Sequence, residues 1–347
     1  MSARTWPLEP RVTLRDVGVL GRGDWESVEA EGARLLGAAC VAVPSVRVAL
    51  CWILEHLGCG RHRDHVLVPR FLGRCILNSL NRVALPVEVP TEATRAVVAV
   101  DQFGFRQRTD VVAEARRRGW AVIEDSPYGI GDREAVTPGV LARVVGLTKV
   151  LPVVQGALVL TADAALAQWI RGCRESRSAW TWAVWGAMSV VRHRSRVSGY
   201  SRLADAAYEM YVPAGGGNRL LRANMLRALR DAPAIGVAHR ERVALIRARL
   251  GEAVLVPDLA RVGYVVPYVP AGADAAQAVM REHGFDATLY HVDVARNVFA
   301  PRYVRALLLP LNHRIASARF TALIDALAAG AHASAAAAPR SAQAVAP

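Results

Sequence analysis

The chain has 347 residues, of which 53% are hydrophobic, 21% charged and 6% aromatic, a composition that supports about two domains and excludes general disorder. The formal charge of +13 suits anionic partners. The basic residues are spread along the whole chain with no nucleic-acid-binding motif, so no nucleic-acid partner is expected. No run of about 18 apolar residues marks a membrane-spanning helix, and MSARTWPLEPRVTLRD lacks the apolar segment of a secretory signal. Five scattered cysteines fit a reducing cytoplasm rather than a disulfide framework.

In chain order, Asp24 to Leu36 reads as a helix capped by Asp24. Ala38 to Val43 reads as a short strand. Ser45 to Leu57 has helical spacing and stops at Gly58. Strand His65 to Pro69, a helical stretch reaching Val83, and strands Leu85 to Val89 and Ala96 to Val100 follow. Next come helix Thr109 to Arg118, strand Ala121 to Glu124 leading into Asp125, and strands Val144 to Leu147 and Ala157 to Thr161. Apolar strands alternating with helices predict an α/β fold with a mostly parallel sheet covered on both faces. Ligands of such sheets bind at the carboxyl ends of strands, where Asp125 and Lys149 both fall.

Region 165–235 reads as helical and irregular. Its stretch Ala179 to Val191 carries Trp180, Trp182 and Trp185 and is too short to span a bilayer. Beyond it the pattern changes to helix Arg240 to Leu250, strand Val262 to Val269 and helix Ala273 to His283. Strands at Ala287 to Val292 and Ala306 to Leu311 and helix Ala316 to Leu327 complete a smaller α+β domain. The expected division is 1–235, 236–329 and a disordered low-complexity tail at 330–347.

The basic residues are 42 arginines and one lysine, Lys149. A position that stays lysine in such a chain calls for chemistry that arginine cannot supply. Arginine remains protonated, whereas a lysine amine can deprotonate and form a Schiff base. The structural alternative is one ordinary surviving surface lysine. Cys59, His62 and His65 have ligand-like spacing, but no metal site is expected there. His291 and His313 are open between core and substrate-side roles.

Several segments in shared order resemble the DegT/StrS-like sugar aminotransferases. They are VGVLGRGDWESVEAEGARLLGAACVAV, GCGRHRDHVLVPRF, VAVDQFGFRQRTDVVAEARRRGWAVIEDSPYGIG, LTKVLPVVQGALVLTAD and ALLLPLNHRIASARFTALIDAL. The resemblance implies the fold of type I pyridoxal-phosphate (PLP) enzymes, with a large mostly parallel sheet domain over 1–235 that binds PLP and a small C-terminal α+β domain. It places Lys149 on the lysine that bonds PLP, and Asp125 on the aspartate that pairs with the pyridine nitrogen. Asp125 would keep that nitrogen protonated, and the Lys149 amine would move the substrate proton.

The family's phosphate-holding "SSGT" reads Pro44, Ser45, Val46, Arg47, so Ser45 and Arg47 would take that role. Its "SF" ahead of the lysine reads Val144, Val145. The ring-stacking aromatic falls on Gly73, with Phe71 the nearest substitute, and the histidine of "pvhlyG" is Asp101. Tyr128 stands three residues after the aspartate. AGGGNRLLRAN resembles the segment that reaches the neighbouring subunit's phosphate, with Asn218 as that contact. The function so implied is a cytoplasmic, homodimeric aminotransferase. It would move an amino group from glutamate or glutamine to a keto sugar, nucleotide-linked, for polysaccharide or secondary-metabolite biosynthesis. The alternatives are another PLP reaction, elimination or decarboxylation, and a degenerate homologue that serves as a partner subunit.

Overall fold

The computed structural model describes residues 8, 10, 23–131, 136–153, 155–175, 219–258 and 261–337. The tryptophan-bearing stretch 179–191 and Asn218 lie outside the described residues. Among the described residues no helix is long and apolar enough to cross a membrane.

Among the described residues the main sheet has seven strands: β1 (Val41–Val43), β2 (His65–Leu67), β3 (Leu85–Val87), β4 (Thr94–Val100), β5 (Ala121–Ser126), β7 (Ala142–Gly146) and β8 (Ala157–Leu160). Their order is β1-β8-β7-β5-β4-β2-β3. Strands β3, β2, β4, β5 and β7 pair in parallel, and β8 runs against both β7 and β1. The sequence of β4, TRAVVAV, shows why the sheet is central. Its apolar residues are nearly continuous because both faces are covered.

Alternate residues of each strand feed opposite layers. Val144, Val159 and Ile123 join the core formed by α2 (Val46–His56) and α5 (Ala164–Glu175). Val145, Leu158 and Leu160 join the core formed by α1 (Trp25–Leu36) and α6 (Arg219–Leu250). Helix α4 (Thr109–Arg117) packs Val111, Val112 and Ala115 on Val97, Ala99 and Val122. The apolar run of α2 from Val48 to Leu54 is wholly buried. Each large side chain there contributes about 1.5–3 kcal/mol by leaving water.

A second, antiparallel sheet, β10-β12-β11, comprises β10 (Val265–Tyr268), β11 (Tyr290–Asp293) and β12 (Tyr303–Pro310). Helices α7 (Ala273–Glu282) and α8 (Ser317–Ala337) share its core through Met280, Phe320 and Leu323. A two-stranded ladder of β6 (Gly129–Ile130) and β9 (Val262–Gly263) joins this region to the main sheet. The remaining α-helix among the described residues is α3 (Arg74–Leu80).

Three sequence expectations change. Helix Arg240 to Leu250 is the last part of the single 32-residue helix α6, within which the expected 235/236 boundary falls. Pro233 and Gly236 both sit inside it. A Cβ at Gly236 would overlap the Arg261 carbonyl oxygen, so glycine lets α6 approach that backbone closely. The strand expected over Val262 to Val269 is two short strands in different sheets, interrupted at Tyr264. Disorder from residue 330 is corrected for 330–337, which continue α8.

Candidate active site

Polar residues cluster at the carboxyl end of β5, as Glu124, Asp125 and Ser126, with Asp101 just past β4 and Arg143 at the amino end of β7. Val100 pairs with Asp125 across β4 and β5, and the Asp101 N–H donates to the Asp125 carbonyl at 2.8 Å. Strand β5 extends through Ser126, so Asp125 lies within the strand rather than past its end. Asp125 is 1% exposed, and neither carboxyl oxygen has a hydrogen-bond partner among the described residues. Burial first, and the Asp101 charge second, push its pKa up to about 8.

Asp101 is compensated. Arg143 of β7 donates to its Oδ2 at 2.6 Å, and the Ser126 hydroxyl donates to the same oxygen. Arg143 also donates to Ser126 Oγ and faces Glu124 at 3.4 Å, while Thr137 donates to Glu124 at 2.7 Å. Asp101, Arg143 and Glu124 are all buried. Removing the cation of such a cluster strands its acids in low dielectric, which costs about 3–5 kcal/mol. Arg143→Met is expected to lose that much stability in urea unfolding, and Asp101→Leu added to it to recover part. Unchanged stability in Arg143→Met would refute the ion pair's structural role.

Lys149 occupies the turn between β7 and β8, built by bonds from Val150 N–H and Leu151 N–H to the Leu147 carbonyl. It is half-buried, with Nζ 5.6 Å from the Tyr128 ring centre and 5.2 Å from that of Tyr264. The β6–β9 ladder brings the two tyrosines together: Gly129 pairs with Gly263, and Tyr264 N–H donates to the Tyr128 carbonyl at 3.1 Å. Ring faces at these distances attract an ammonium and fix where the amine sits.

These groups open on a cavity of about 330 Å³, lined among others by Lys149, Tyr128, Tyr264, Phe71, Gln107 and His291. Val100, the sheet partner of Asp125, also lines it. The Phe71 ring stacks on His291 of β11 at 4.1 Å and meets Tyr303 of β12 edge-on at 4.8 Å. Gln102 bridges the two sheets, donating to the His291 carbonyl at 2.7 Å and accepting from Asp293 N–H at 2.9 Å. Phe103 beside it adopts φ 55°, a left-handed conformation unusual for an aromatic residue, and its ring meets Tyr128.

The structure thus brings Lys149, Tyr128 and Phe71 to one cavity, with Asp125 one strand position from its wall. Ser45 and Arg47 do not line that cavity. Ser45 caps α2, its hydroxyl accepting from Val48 N–H at 3.3 Å, and Arg47 is buried in the first turn of the same helix. His313 lies against His239, ring centres 5.8 Å apart, away from the cavity lining. Sequence reading missed Tyr264, Gln107 and Arg143. The break at Tyr264 was hidden in one apolar run, and the Arg143 partner lies 42 residues away.

Residues 32–205 match a family model described as "Putative PLP-dependent aminotransferase". Among solved structures, the chain is similar to the aminotransferase TlmJ from Streptoalloteichus hindustanus, at 20% identity and TM-score 0.63, covering 95% of this chain and 99% of that one. DesV of S. venezuelae gives 20% identity and TM-score 0.62 over 93% of this chain and 99% of its own. DesI, solved in the presence of its TDP-sugar product, gives 18% identity and TM-score 0.62 over 97% and 96%. No curated protein matches the chain significantly in sequence.

Proposed function

The chain belongs to the PLP-dependent aminotransferase family, and from that premise we propose that it transfers an amino group from glutamate or glutamine to a nucleotide-linked keto sugar. One observation carries the catalytic reading. The sole lysine of the chain stands in the cavity wall between two tyrosines, and a buried aspartate whose carboxyl oxygens have no partner among the described residues pairs in the sheet with Val100 of the same wall.

PLP, when bound, supplies an electron sink that lets an amino group pass between a donor and a carbonyl compound. The described residues fit its ring end. An orphaned buried carboxyl is what a protonated ring nitrogen requires, and Asp125 would hold that proton. Lys149 would hold the cofactor covalently, and its freed amine would move the proton at the reacting carbon. Tyr128 and Tyr264 would keep the amine in place, and Phe71 would cover the ring side of the cavity. For the phosphate, the resemblance implies Ser45, Arg47 and Asn218; Ser45 and Arg47 stand outside the cavity lining, so the fit is to the ring end alone.

The substrate class rests on two supports. DesI was solved with a TDP-sugar product, and the charge of +13 suits an anionic nucleotide sugar. A cytoplasmic homodimer belongs to the same proposal. The test loads the purified chain with PLP, presents L-glutamate or L-glutamine, and measures 2-oxo acid formation. A TDP-linked keto hexose then competes with pyruvate as acceptor, with products read by mass spectrometry. Amino sugar formation is the expected result. Efficient amination of pyruvate with none of the sugar would overturn the substrate assignment.

A further inference from the structure

Among the described residues β11 is an edge strand of the small sheet, with β12 on one side only. Such a strand leaves a row of backbone N–H and C=O groups without a ladder partner. Alternate residues of a strand point these groups to opposite sides. Val294 N–H donates to the Arg302 carbonyl beside β12, so His291 and Asp293 offer theirs on the free side. The Gln102 side chain takes both. Its Nε2 donates to the His291 carbonyl at 2.7 Å, and its Oε1 accepts from Asp293 N–H at 2.9 Å. A carbonyl only accepts and a backbone N–H only donates, so the two partners fix the orientation of the amide. One side-chain amide thus meets residues two apart on β11, as a neighbouring parallel strand would.

Gln102 is itself anchored to the main sheet. It opens the 3₁₀ turn Gln102–Gly104 just past β4, where Phe105 N–H donates to the Gln102 carbonyl at 3.1 Å. Asp101 N–H donates to the Asp125 carbonyl, and Arg143 holds the Asp101 carboxylate. A chain of bonds therefore runs from the strand of Asp125 to β11, whose Tyr290, His291 and Asp293 line the cavity together with Gln102. We propose that Gln102 is a positioning residue, which stands in for a neighbour strand of β11 and holds the small-sheet wall of the cavity in register with the wall that carries Lys149. This rests on the reading of the cavity as the site of transamination. Asp125 and Lys149 belong to β5 and to the turn after β7, so they keep their places without the clamp. The wall from β11 does not, and a small displacement there weakens its contacts with the amino compound that enters.

The test uses the full-length chain as wild type, Gln102→Met and Gln102→Leu. Both variants remove the two hydrogen bonds; methionine keeps the length of the side chain and leucine its bulk. Hydrogen exchange of the cofactor-free proteins, resolved to single amides by mass spectrometry, should show Asp293 N–H at least about tenfold less protected in both variants. Segments 96–100 and 121–125 should stay within about threefold of wild type. With PLP added, cofactor affinity by absorbance titration should stay within about twofold. The concentration of L-glutamate or L-glutamine that half-saturates bleaching of the bound cofactor should rise about tenfold, with the saturated rate within about threefold. A role in folding alone would not separate those two constants.

Wild-type protection of Asp293 N–H in both variants would overturn the clamp. Lost protection of segments 96–100 and 121–125 in both would overturn it too, by making Gln102 a residue of the main fold. An unchanged half-saturating concentration would overturn the positioning role and leave the transamination reading intact. So would a saturated rate more than about tenfold lower, which would place Gln102 in the chemistry. If the wild-type cofactor is bleached by neither amino donor, the transamination reading itself fails and the positioning role falls with it, while the exchange result still decides the clamp.

Discussion

Lys149→Arg is expected to lower transamination by about 10⁴-fold while leaving the fold intact. The substitution separates charge from chemistry. Arginine keeps a cation between the Tyr128 and Tyr264 rings, now 5.6 and 5.2 Å from Nζ. It also stays protonated at any working pH, so it supplies neither a nucleophile nor a base. Lys149 is half-buried on a turn, so its replacement disturbs no packed core. The check is 2-oxo acid release at saturating PLP and amino donor, with a melting curve in parallel. Retention of more than a tenth of the wild-type rate by a folded Lys149→Arg protein would remove the lysine from the mechanism.

Asp125→Asn is expected to raise the stability of the cofactor-free protein at pH 8 and to destroy cofactor use. In the folded chain the Asp125 pKa is pushed up to about 8, whereas an unfolded aspartate titrates near about 3.9. The folded state therefore binds the extra proton between those two values, and stability falls as pH rises through that window. Above pH 8 the full penalty applies. The distance between the two values caps it at about 6 kcal/mol, at about 1.4 kcal/mol per unit. Asparagine cannot ionise, so the variant should melt near wild type at pH 4 and several degrees higher at pH 8. PLP affinity should fall by about 100-fold, because a protonated ring nitrogen would face a neutral amide. Equal melting of the two cofactor-free proteins across pH 4–8 would contradict the buried, uncompensated carboxyl.

Much of the frame was legible because it rests on local rules. Asp24 and Ser45 cap α1 and α2 as their positions before apolar periodic runs require. The continuous apolar run of β4 identifies a strand buried on both faces. Lys149 stood out because arginine fills every other Lys/Arg position, and Asp125 because it follows an apolar run that reads as a strand. What escaped depends on pairing at long range. Arg143 looks like an ordinary charged residue before a strand until Asp101 meets it at 2.6 Å. Tyr264 looks like one more apolar position until the backbone changes sheets there and sets its ring against Lys149. The α6 helix continues through Pro233 and Gly236 because tertiary packing, including the close approach to Arg261, outweighs local propensity. Arg47 carries the charge a phosphate would attract, but a sequence cannot say that its side chain is buried in α2 outside the cavity lining.

The central claim is that Lys149 is the residue that holds PLP and works on the transferred proton. Its most direct test is borohydride reduction of the PLP-loaded chain followed by peptide mass spectrometry. The account predicts one pyridoxyl adduct, on the peptide that contains Lys149, and loss of both the adduct and the visible absorption band in Lys149→Ala. An unlabelled Lys149 peptide at saturating PLP, or an absorption band that survives in Lys149→Ala, would contradict it.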